Sequence, residues 1–308
     1  MRLTFGILLA CLASTATCQS PTLAERLGYP RDAKLLIVNA DDLGMTRSVN
    51  AASIKALNDG AIRSASVMIP APHIDSIASY ARANPDADLG LHLTLTAEWP
   101  AYKWSTVLPR DSVPSLFDGT GHLYTSVADA VAHIDPRDAA AELRAQIERA
   151  RTMGIRPTHL DSHMGVLYGS RELLDALLRV SRETGLPARV ARESVAQIPF
   201  LADLIRPDDV LIDRRVTIDP AVTPEQWTEF YATTIRNLKP GVTEMIVHLG
   251  YDDEEMRAAT SGQEDWGAAW RQRDFDFFTS DRFRHLLREN GVTLIVWKDI
   301  ARLTERSR

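Results

Sequence analysis

Two adjacent carboxylates, Asp41 and Asp42, follow an apolar segment at residues 35–39. The apolar and β-branched residues of that segment predict a buried strand. Sheets and barrels of parallel strands carry their chemistry at the carboxyl ends of the strands, where these carboxylates lie. Successive side chains of an extended chain point to opposite sides, so we expect one carboxylate to hold a metal ion and the other to handle a proton. The alternative is a structural strand end at which Asp42 or Ser48 caps the next helix.

Three histidines lie in or beside other predicted strands. His92 lies within an apolar run, and His159, Asp161 and His163 alternate in a segment that we predict to be extended, which places them on one face. A lone histidine in a strand is more often a core residue than a ligand. Together, however, Asp42, His92 and His163 supply one carboxylate and two imidazoles, a set that suits a divalent cation and leaves positions open for water and substrate.

Two further groups near these residues have expected roles. Asp161 and His159 are candidates to orient a ligand imidazole through its second ring nitrogen, and a hydrogen-bonded strand end is the alternative. His248 ends another apolar run and precedes a glycine and an acidic segment. Because histidine titrates near neutral pH, His248 could act as a general acid opposite a carboxylate base.

Strand-like and helix-like segments alternate from residue 35 to the end of the chain. The predicted strands are 35–39, 64–69, 89–95, 158–162, 188–191, 210–213, 244–249 and 293–297. The predicted helices are 49–57, 74–83, 137–153, 172–183, 224–238 and 281–290. This alternation predicts a single α/β domain over residues 30–305, built as a parallel (β/α) barrel or a distorted barrel, with a doubly wound open sheet as the alternative. No phosphate-cradling glycine motif follows the first strand, so a nucleotide-binding sheet is unsupported.

Two long segments, 96–136 and 251–280, lack clear periodicity, and long irregular segments of compact domains are often functional loops. The first contains Trp99, Tyr102 and Trp104 just after the third predicted strand. Aromatic faces beside a polar site suit stacking on sugar rings, so these three residues are candidates for substrate binding. Packing of the loop onto the barrel is the alternative for each of them.

The composition predicts a globular protein that does not bind nucleic acid. Of 308 residues, 45% are hydrophobic and 25% are charged, which is ordinary for soluble domains. The formal net charge of −6 lacks the excess of Lys and Arg that phosphate backbones require. A neutral or weakly charged small substrate therefore fits better.

Residues 1–20 have the layout of a secretory signal, with Arg2, a short apolar stretch and a small, polar end. That stretch is too short to span a bilayer, so we expect no transmembrane span in the mature protein. We predict export to the periplasm or the exterior. A lipid anchor through Cys11 or Cys18 is the alternative to soluble export.

Four motifs along the chain resemble, in the same order, the successive motifs of the YdjC-like carbohydrate deacetylases. They are NADD at 39–42, GLHL at 90–93, PTHLDSH at 157–163 and HLGY at 248–251. The resemblance implies a barrel-like fold, one divalent metal cation and hydrolysis of an N-acetyl group on a carbohydrate. By motif position the metal ligands are Asp42, His92 and His163. Asp41 matches the proposed general base, and His248 matches the proposed general acid.

Two residues depart from the family pattern. Further histidines often follow the metal-binding histidine, where this chain has Met164, and proline commonly follows the late histidine, where this chain has Leu249. Both changes bear on the substrate more than on the metal. Two imidazoles and one carboxylate suit zinc, iron, manganese or cobalt, while the resemblance implies magnesium, so the expected cofactor is one divalent cation, magnesium or zinc.

The sequence therefore predicts a metal-dependent carbohydrate deacetylase and leaves the oligomeric state open. One alternative is a glycoside hydrolase that uses paired carboxylates across a sugar cleft. Another is an exported carbohydrate-binding protein that retains the barrel and the aromatic loops without turnover.

Overall fold

The computed structural model describes residues 20–263 and 265–305. The predicted signal peptide, with Cys11 and Cys18, lies outside the described residues except for Ser20. Among the helices that the structure describes, none combines the length and the apolar character that crossing a bilayer requires.

The described residues form one parallel sheet. Its strands are β1 (Lys34–Leu43), β2 (Ser64–Val67), β3 (Asp88–Leu93), β4 (Leu160–Ser162), β5 (Arg214–Thr217), β6 (Gly241–Val247) and β7 (Val292–Leu294). The order is β4-β3-β2-β1-β6-β5, and β7 pairs with the first part of β1. β1 is buried along almost its whole length, as expected for a parallel strand with both faces covered.

The two edges of the sheet approach each other through a connecting segment. Arg189 N donates to Leu160 O over 2.7 Å beside β4, and Ile212 N donates to Val190 O over 3.1 Å ahead of β5. The structure is therefore a distorted parallel barrel, which confirms the predicted fold class. The strands predicted at 188–191 and 210–213 are reduced to single bridges, and the regular strand β5 begins only at Arg214.

Helices surround the sheet. They are α1 (Leu23–Arg26), α2 (Arg47–Asn58), α3 (Ile74–Ala83), α4 (Val127–His133), α5 (Pro136–Thr152), α6 (Arg171–Thr184), α7 (Leu201–Leu204), α8 (Trp227–Arg236), α9 (Glu254–Ala259), α10 (Ala268–Phe278), α11 (Asp281–Glu289) and α12 (Trp297–Glu305). All six predicted helices are present with small shifts at their ends. The two segments without clear periodicity contain α4, α9 and α10, so they are more regular than expected.

α6 shows why these segments become helices and how they pack. Ser170 accepts a hydrogen bond from Leu173 N and caps the first turn, and Gly185 ends the helix with a left-handed φ of 75°. Leu173, Leu174 and Leu177 recur at helical spacing and are buried. Each such leucine contributes about 1.5–3 kcal/mol through burial, which attaches the helix to the sheet.

The last predicted strand, 293–297, is partly wrong. β7 ends at Leu294, and Trp297 begins α12. Asp88 on β3 accepts hydrogen bonds from the backbone N–H groups of Trp297 (2.7 Å) and Lys298 (3.0 Å). A carboxylate at this position satisfies the free N–H groups of a helix start, so a residue distant in sequence decides where the strand ends.

Candidate active site

Both carboxylates of the Asp41–Asp42 pair reach one site because β1 contains a bulge. Ala40 pairs with Ala65 and Leu43 with Val67, so β1 has one residue more than β2 between these points. Within the bulge, Asp42 has a left-handed φ of 70°. The expected alternation is therefore broken, and Asp41 Oδ2 and Asp42 Oδ1 lie 3.7 and 3.3 Å from the two nitrogens of His92.

The helix after the bulge does not use either of the predicted caps. Thr46 caps α2, because its hydroxyl accepts a hydrogen bond from Val49 N over 3.0 Å. Asp42 is turned towards His92, and the Ser48 hydroxyl donates to Tyr251 O. Asp42 is therefore available for chemistry at the strand end.

Asp42, His92 and His163 form a compact buried group. Asp42 Oδ1 lies 3.3 Å from His92 Nε2 and 3.4 Å from His163 Nδ1, and none of the three residues is more than 4% exposed. Asp42 Oδ1 has no hydrogen-bond partner among the described residues, while Asp42 Oδ2 accepts from Arg271. One carboxylate oxygen and two imidazole nitrogens thus converge, and this donor set fits a divalent cation.

Each imidazole of this group is oriented by a second carboxylate. Asp161 Oδ1 lies 2.5 Å from His92 Nδ1, and Glu98 Oε2 lies 2.9 Å from His163 Nε2. The remaining nitrogens, Nε2 of His92 and Nδ1 of His163, are the ones that face Asp42. This pattern is typical of metal-binding histidines, whose other ring nitrogen contacts a carboxylate.

The neighbouring carboxylates favour positive charge at the two imidazoles. Burial opposes protonation, but Glu98 and Asp42 raise the pKa of His163 to about 9. Asp161 and Asp41 likewise hold the pKa of His92 well above its usual range against the effect of burial. The group therefore stabilises a cation, whether this is a proton or a metal ion.

His159 lies in the core and does not take its expected place beside a ligand imidazole. Its ring stacks on Trp297 at 4.8 Å between centroids, and its Nδ1 lies 3.1 Å from Thr158 Oγ1. It fits against Gly90, where an added Cβ would lie 2.2 Å from the ring. Burial lowers the pKa of His159 to about 3, so it is a neutral core residue.

Arg189 is a central residue of the site that the sequence analysis did not identify. Its guanidinium donates to both oxygens of Asp41, over 2.9 and 2.8 Å, and also lies 2.6 Å from Asp161 Oδ2 and 3.0 Å from Glu244 Oε1. Burial alone would raise the pKa of Asp41, but the Arg189 charge and His92 hold it well below its usual range. Asp41 is therefore ionised and held in a fixed orientation.

His248 follows β6 and borders the same cavity. Its backbone N–H donates to Asp274 Oδ2 over 2.9 Å, and its Nδ1 has no hydrogen-bond partner among the described residues. Burial lowers the pKa of His248 to about 4, assisted by the charge of Arg271, against Asp42, which raises it. The imidazole is therefore neutral near pH 7, with one ring nitrogen available to a ligand.

These groups border a cavity of about 520 Å³, which is ample for a sugar unit. The residues that line it include Asp41, Asp42, His92, Glu98, Trp99, Thr125, Val127, Ser162, His163, Met164, Gly165, Tyr168, Arg189, Arg215, Thr217, Ile246, His248, Gln263, Trp266 and Arg271. All five predicted catalytic and metal-binding residues are in this set. The structure therefore brings together five predicted residues from the ends of four strands, β1, β3, β4 and β6.

The three aromatic residues expected to bind substrate have different surroundings. Trp99 borders the cavity but is almost fully buried, and Trp104 packs edge-on against His163 at 5.8 Å. Tyr102 uses its hydroxyl to donate to Met45 O and is absent from the described cavity lining. Trp266, from the second long segment, is the more accessible indole at the cavity.

Backbone strain is concentrated at this cavity. Among the described residues, the non-glycine positions with a left-handed φ are Asp42 (70°), Met164 (53°) and Trp266 (56°), and all three border the cavity. Such a conformation costs an ordinary residue about 1–2 kcal/mol. Strain that the surrounding structure maintains is a common property of functional sites.

Comparison with known proteins assigns the chain to a family. The sequence model of the YdjC-like protein family matches residues 35–289 of this chain. A carbohydrate deacetylase of Brevibacillus brevis is 32% identical over 86% of this chain and 99% of its own length. A chitooligosaccharide deacetylase of Yersinia pestis is 32% identical over 53% of this chain and 62% of its own length.

A solved structure from Enterococcus faecalis, of a protein proposed to cleave cellobiose-phosphate, shares the fold. It superposes with a TM-score of 0.73 at 26% identity and covers 87% of this chain and 99% of its own. The matched residues include all four sequence motifs, which supply Asp41, Asp42, His92, His163 and His248 to the cavity. The chain therefore belongs to the YdjC-like protein family.

Proposed function

We propose that this protein is a metal-dependent carbohydrate deacetylase, which hydrolyses the N-acetyl group of a sugar and releases acetate. The observation that carries the proposal is the buried convergence of Asp42 Oδ1, His92 Nε2 and His163 Nδ1 beside an ionised Asp41. The relatives named carbohydrate deacetylase, which align over most of the chain, support the same reaction. A glycoside hydrolase would leave the two oriented imidazoles without a use.

Asp42, His92 and His163 would hold the cation. When bound there, a divalent cation supplies a Lewis acid and lowers the pKa of a bound water towards about 7. Asp42 Oδ2 is already bonded to Arg271, so Oδ1 is the oxygen available for coordination. We propose zinc or magnesium, which the experiment below compares directly.

We propose that Asp41 accepts the proton of the attacking water. Arg189, Asn39 and Ser66 hold its carboxylate with hydrogen bonds of 2.7–2.9 Å, so its orientation is set before substrate arrives. A base with a strongly lowered pKa accepts a proton only from an acidified water. Asp41 is therefore a weak proton acceptor, and it would need a water that a bound cation makes more acidic.

We propose that His248 delivers a proton to the departing sugar nitrogen. The imidazole is neutral at rest, so it would take up a proton from solvent and pass it to the nitrogen, while Asp41 would release to solvent the proton that it took from water. The low pKa makes the imidazolium a strong acid. Water then supplies the oxygen of acetate and, through solvent, the protons of the amine, so the net products are acetate and the protonated amine. The pH dependence of kcat reports the titration of Asp41 and His248 together.

For the substrate we propose an N-acetylated sugar of one or two units, because a cavity of about 520 Å³ with Trp266 and Met164 at its border suits that size. We propose export on the basis of residues 1–20, in soluble or lipid-anchored form. Fractionation of cells that express the full chain, compared with a chain that lacks residues 1–20, tests this part separately.

The test of the function is acetate release from a panel of N-acetylated mono- and oligosaccharides. The protein is assayed as purified, after treatment with a chelator, and after addition of zinc or magnesium to the treated protein. Acetate release that the chelator abolishes and one of the metals restores supports the proposal and identifies the cation. Acetate release that survives complete removal of metal contradicts it, and shortened sugar chains without acetate would indicate a glycoside hydrolase.

A further inference from the structure

Arg271 on α10 has three side-chain nitrogens, of which two have partners among the described residues. Nη2 donates to Asp42 Oδ2 over 2.7 Å, and Nε donates to the carbonyl oxygen of Trp266 over 2.6 Å. Nη1 has no hydrogen-bond partner in the described part of the chain, although the side chain is only 1% exposed. A buried charged donor without a partner is costly, so Nη1 marks a position that a bound group completes.

The position of Nη1 is fixed by the other two nitrogens. The guanidinium is a rigid planar fork, and its two hydrogen bonds set both its plane and its rotation. Arg271 borders the cavity that contains Asp42, His92 and His163. Since Nη1 and Nη2 share one carbon atom, Nη1 is held beside the carboxylate of Asp42.

The chemistry of the free nitrogen defines its ligand. An N–H of a guanidinium donates and cannot accept, and it binds anionic oxygens most strongly. The cavity carboxylates Asp41 and Glu98 already have partners, in Arg189 and His163. The ligand of Nη1 is therefore an oxygen acceptor that enters the cavity with the substrate.

We propose that Nη1 of Arg271 binds the acyl oxygen of the substrate and stabilises the negative charge that develops there. The inference rests on the proposed function, because an acyl oxygen is present only if the substrate is an N-acyl sugar. Water adds to the carbonyl carbon and gives a proton to Asp41, the C=O electron pair moves onto the oxygen beside Nη1, and it returns as the C–N bond breaks. The nitrogen leaves with a proton from His248, and the product acetate presents an oxygen to the same donor.

Arg271→Lys tests this proposal. Lysine keeps a positive charge near Asp42 but removes the planar Nη1 donor. Arg273→Lys is the matched control, since Arg273 lies on the same helix, with its guanidinium 4.6 Å from the ring centre of Trp227, and it is absent from the described cavity lining. For each protein, calorimetry measures zinc binding and then acetate binding, with and without zinc, and steady-state kinetics give kcat and KM.

We expect Arg271→Lys to retain zinc binding within a few-fold and to bind acetate at least about tenfold more weakly, with or without zinc. The value of kcat should fall about 10²–10³-fold, the usual effect of removing one donor to a developing oxyanion, while KM changes little. The Arg273→Lys protein should match the wild type in every measurement.

Two results would overturn the assignment. One is unchanged acetate affinity in an Arg271→Lys protein that retains zinc. The other is a loss of kcat that disappears at saturating zinc, because Arg271 would then act only through Asp42. If the wild type binds acetate through Arg271 but releases none from any sugar, the oxygen site stands and the proposed function fails.

A crystal structure of the wild type with acetate decides the matter if Arg271→Lys does not fold. An acetate oxygen within about 3.2 Å of Nη1 supports the proposal. Acetate that occupies the cavity away from Arg271 overturns it.

Discussion

The carboxylate of Asp161 lies 2.5 Å from Nδ1 of His92, and the opposite nitrogen of that ring faces Asp42. The hydrogen bond determines which nitrogen of His92 is available to a metal ion. Glu98 does the same for His163 from a loop rather than a strand. The affinity of the site for a cation therefore depends on residues that do not need to touch it.

Glu98→Gln should weaken cation binding by about 10–100-fold, because the neutral amide neither orients nor polarises His163 as strongly. Calorimetric titration with zinc measures this affinity. Glu172→Gln, at an exposed position on α6, is the control and should bind zinc normally. Equal zinc affinity in the two variants would show that Glu98 has no part in orienting His163.

Asp41→Asn and His163→Ala should separate chemistry from metal binding. The first should retain the metal and lose at least about 10²-fold in kcat, because it removes the proton acceptor. The second should lose the metal itself, because it removes a ligand. Elemental analysis of the purified proteins and acetate release are the measurements. Normal metal content and near-normal turnover in both would refute the assigned roles.

Glu244→Gln should change how stability depends on pH. Burial raises the pKa of Glu244 from 4.5 to about 7, although Arg189 and Trp297 lower it. Between these values the folded protein holds a proton that the unfolded chain has released, so the free energy of unfolding falls as the pH rises. The glutamine keeps the Oε1 acceptor and should remove this fall, which is about 3 kcal/mol.

Urea unfolding of the wild type and Glu244→Gln at several pH values from 4.5 to 7.5 measures the effect. The difference in stability between the two proteins should shift steadily in favour of the variant as the pH rises. A constant difference over the whole range would mean that Glu244 does not titrate there.

Gly90→Ala should destabilise the barrel by about 1–3 kcal/mol or more, because the new Cβ would lie 2.2 Å from the ring of His159. That ring is stacked on Trp297 and has little room to move. At Gly119, an added Cβ meets nothing within 4 Å, so Gly119→Ala is the matched control. Urea unfolding compares the two, and similar stabilities would contradict the packing described for His159.

The candidate metal ligands could be identified from the sequence more easily than the residues that hold them in place. Asp42, His92 and His163 each stand in a short motif at a strand end, and such motifs are visible without a structure. Arg189 and Arg271 have no local signal, because they contact Asp41 and Asp42 across 148 and 229 residues of sequence. Glu98 was hidden in a segment without periodicity.

In the fold, too, features with a local sequence pattern could be predicted, and features set by distant residues could not. The alternation of strands and helices predicted the barrel, since each element has its own apolar pattern. The end of β7 and the start of α12 were not predictable locally, because Asp88 on β3 satisfies the first N–H groups of that helix. The bulge at Asp42 also depends on β2, whose register determines how many residues β1 must accommodate.

The left-handed residues at the cavity imply a conflict for anyone who engineers this enzyme for heat resistance. Glycine at Met164 would relieve up to about 1–2 kcal/mol of backbone strain, so a screen for thermal tolerance should enrich it there. At Trp266 the same relief is offset by loss of the indole, which packs on Trp270 at 5.1 Å between ring centres. The same changes would remove apolar side chains from the border of the cavity, and catalytic efficiency would fall as tolerance rises. Thermostable versions that remain useful should carry their new stabilising substitutions on the outer helices and leave these two positions unchanged.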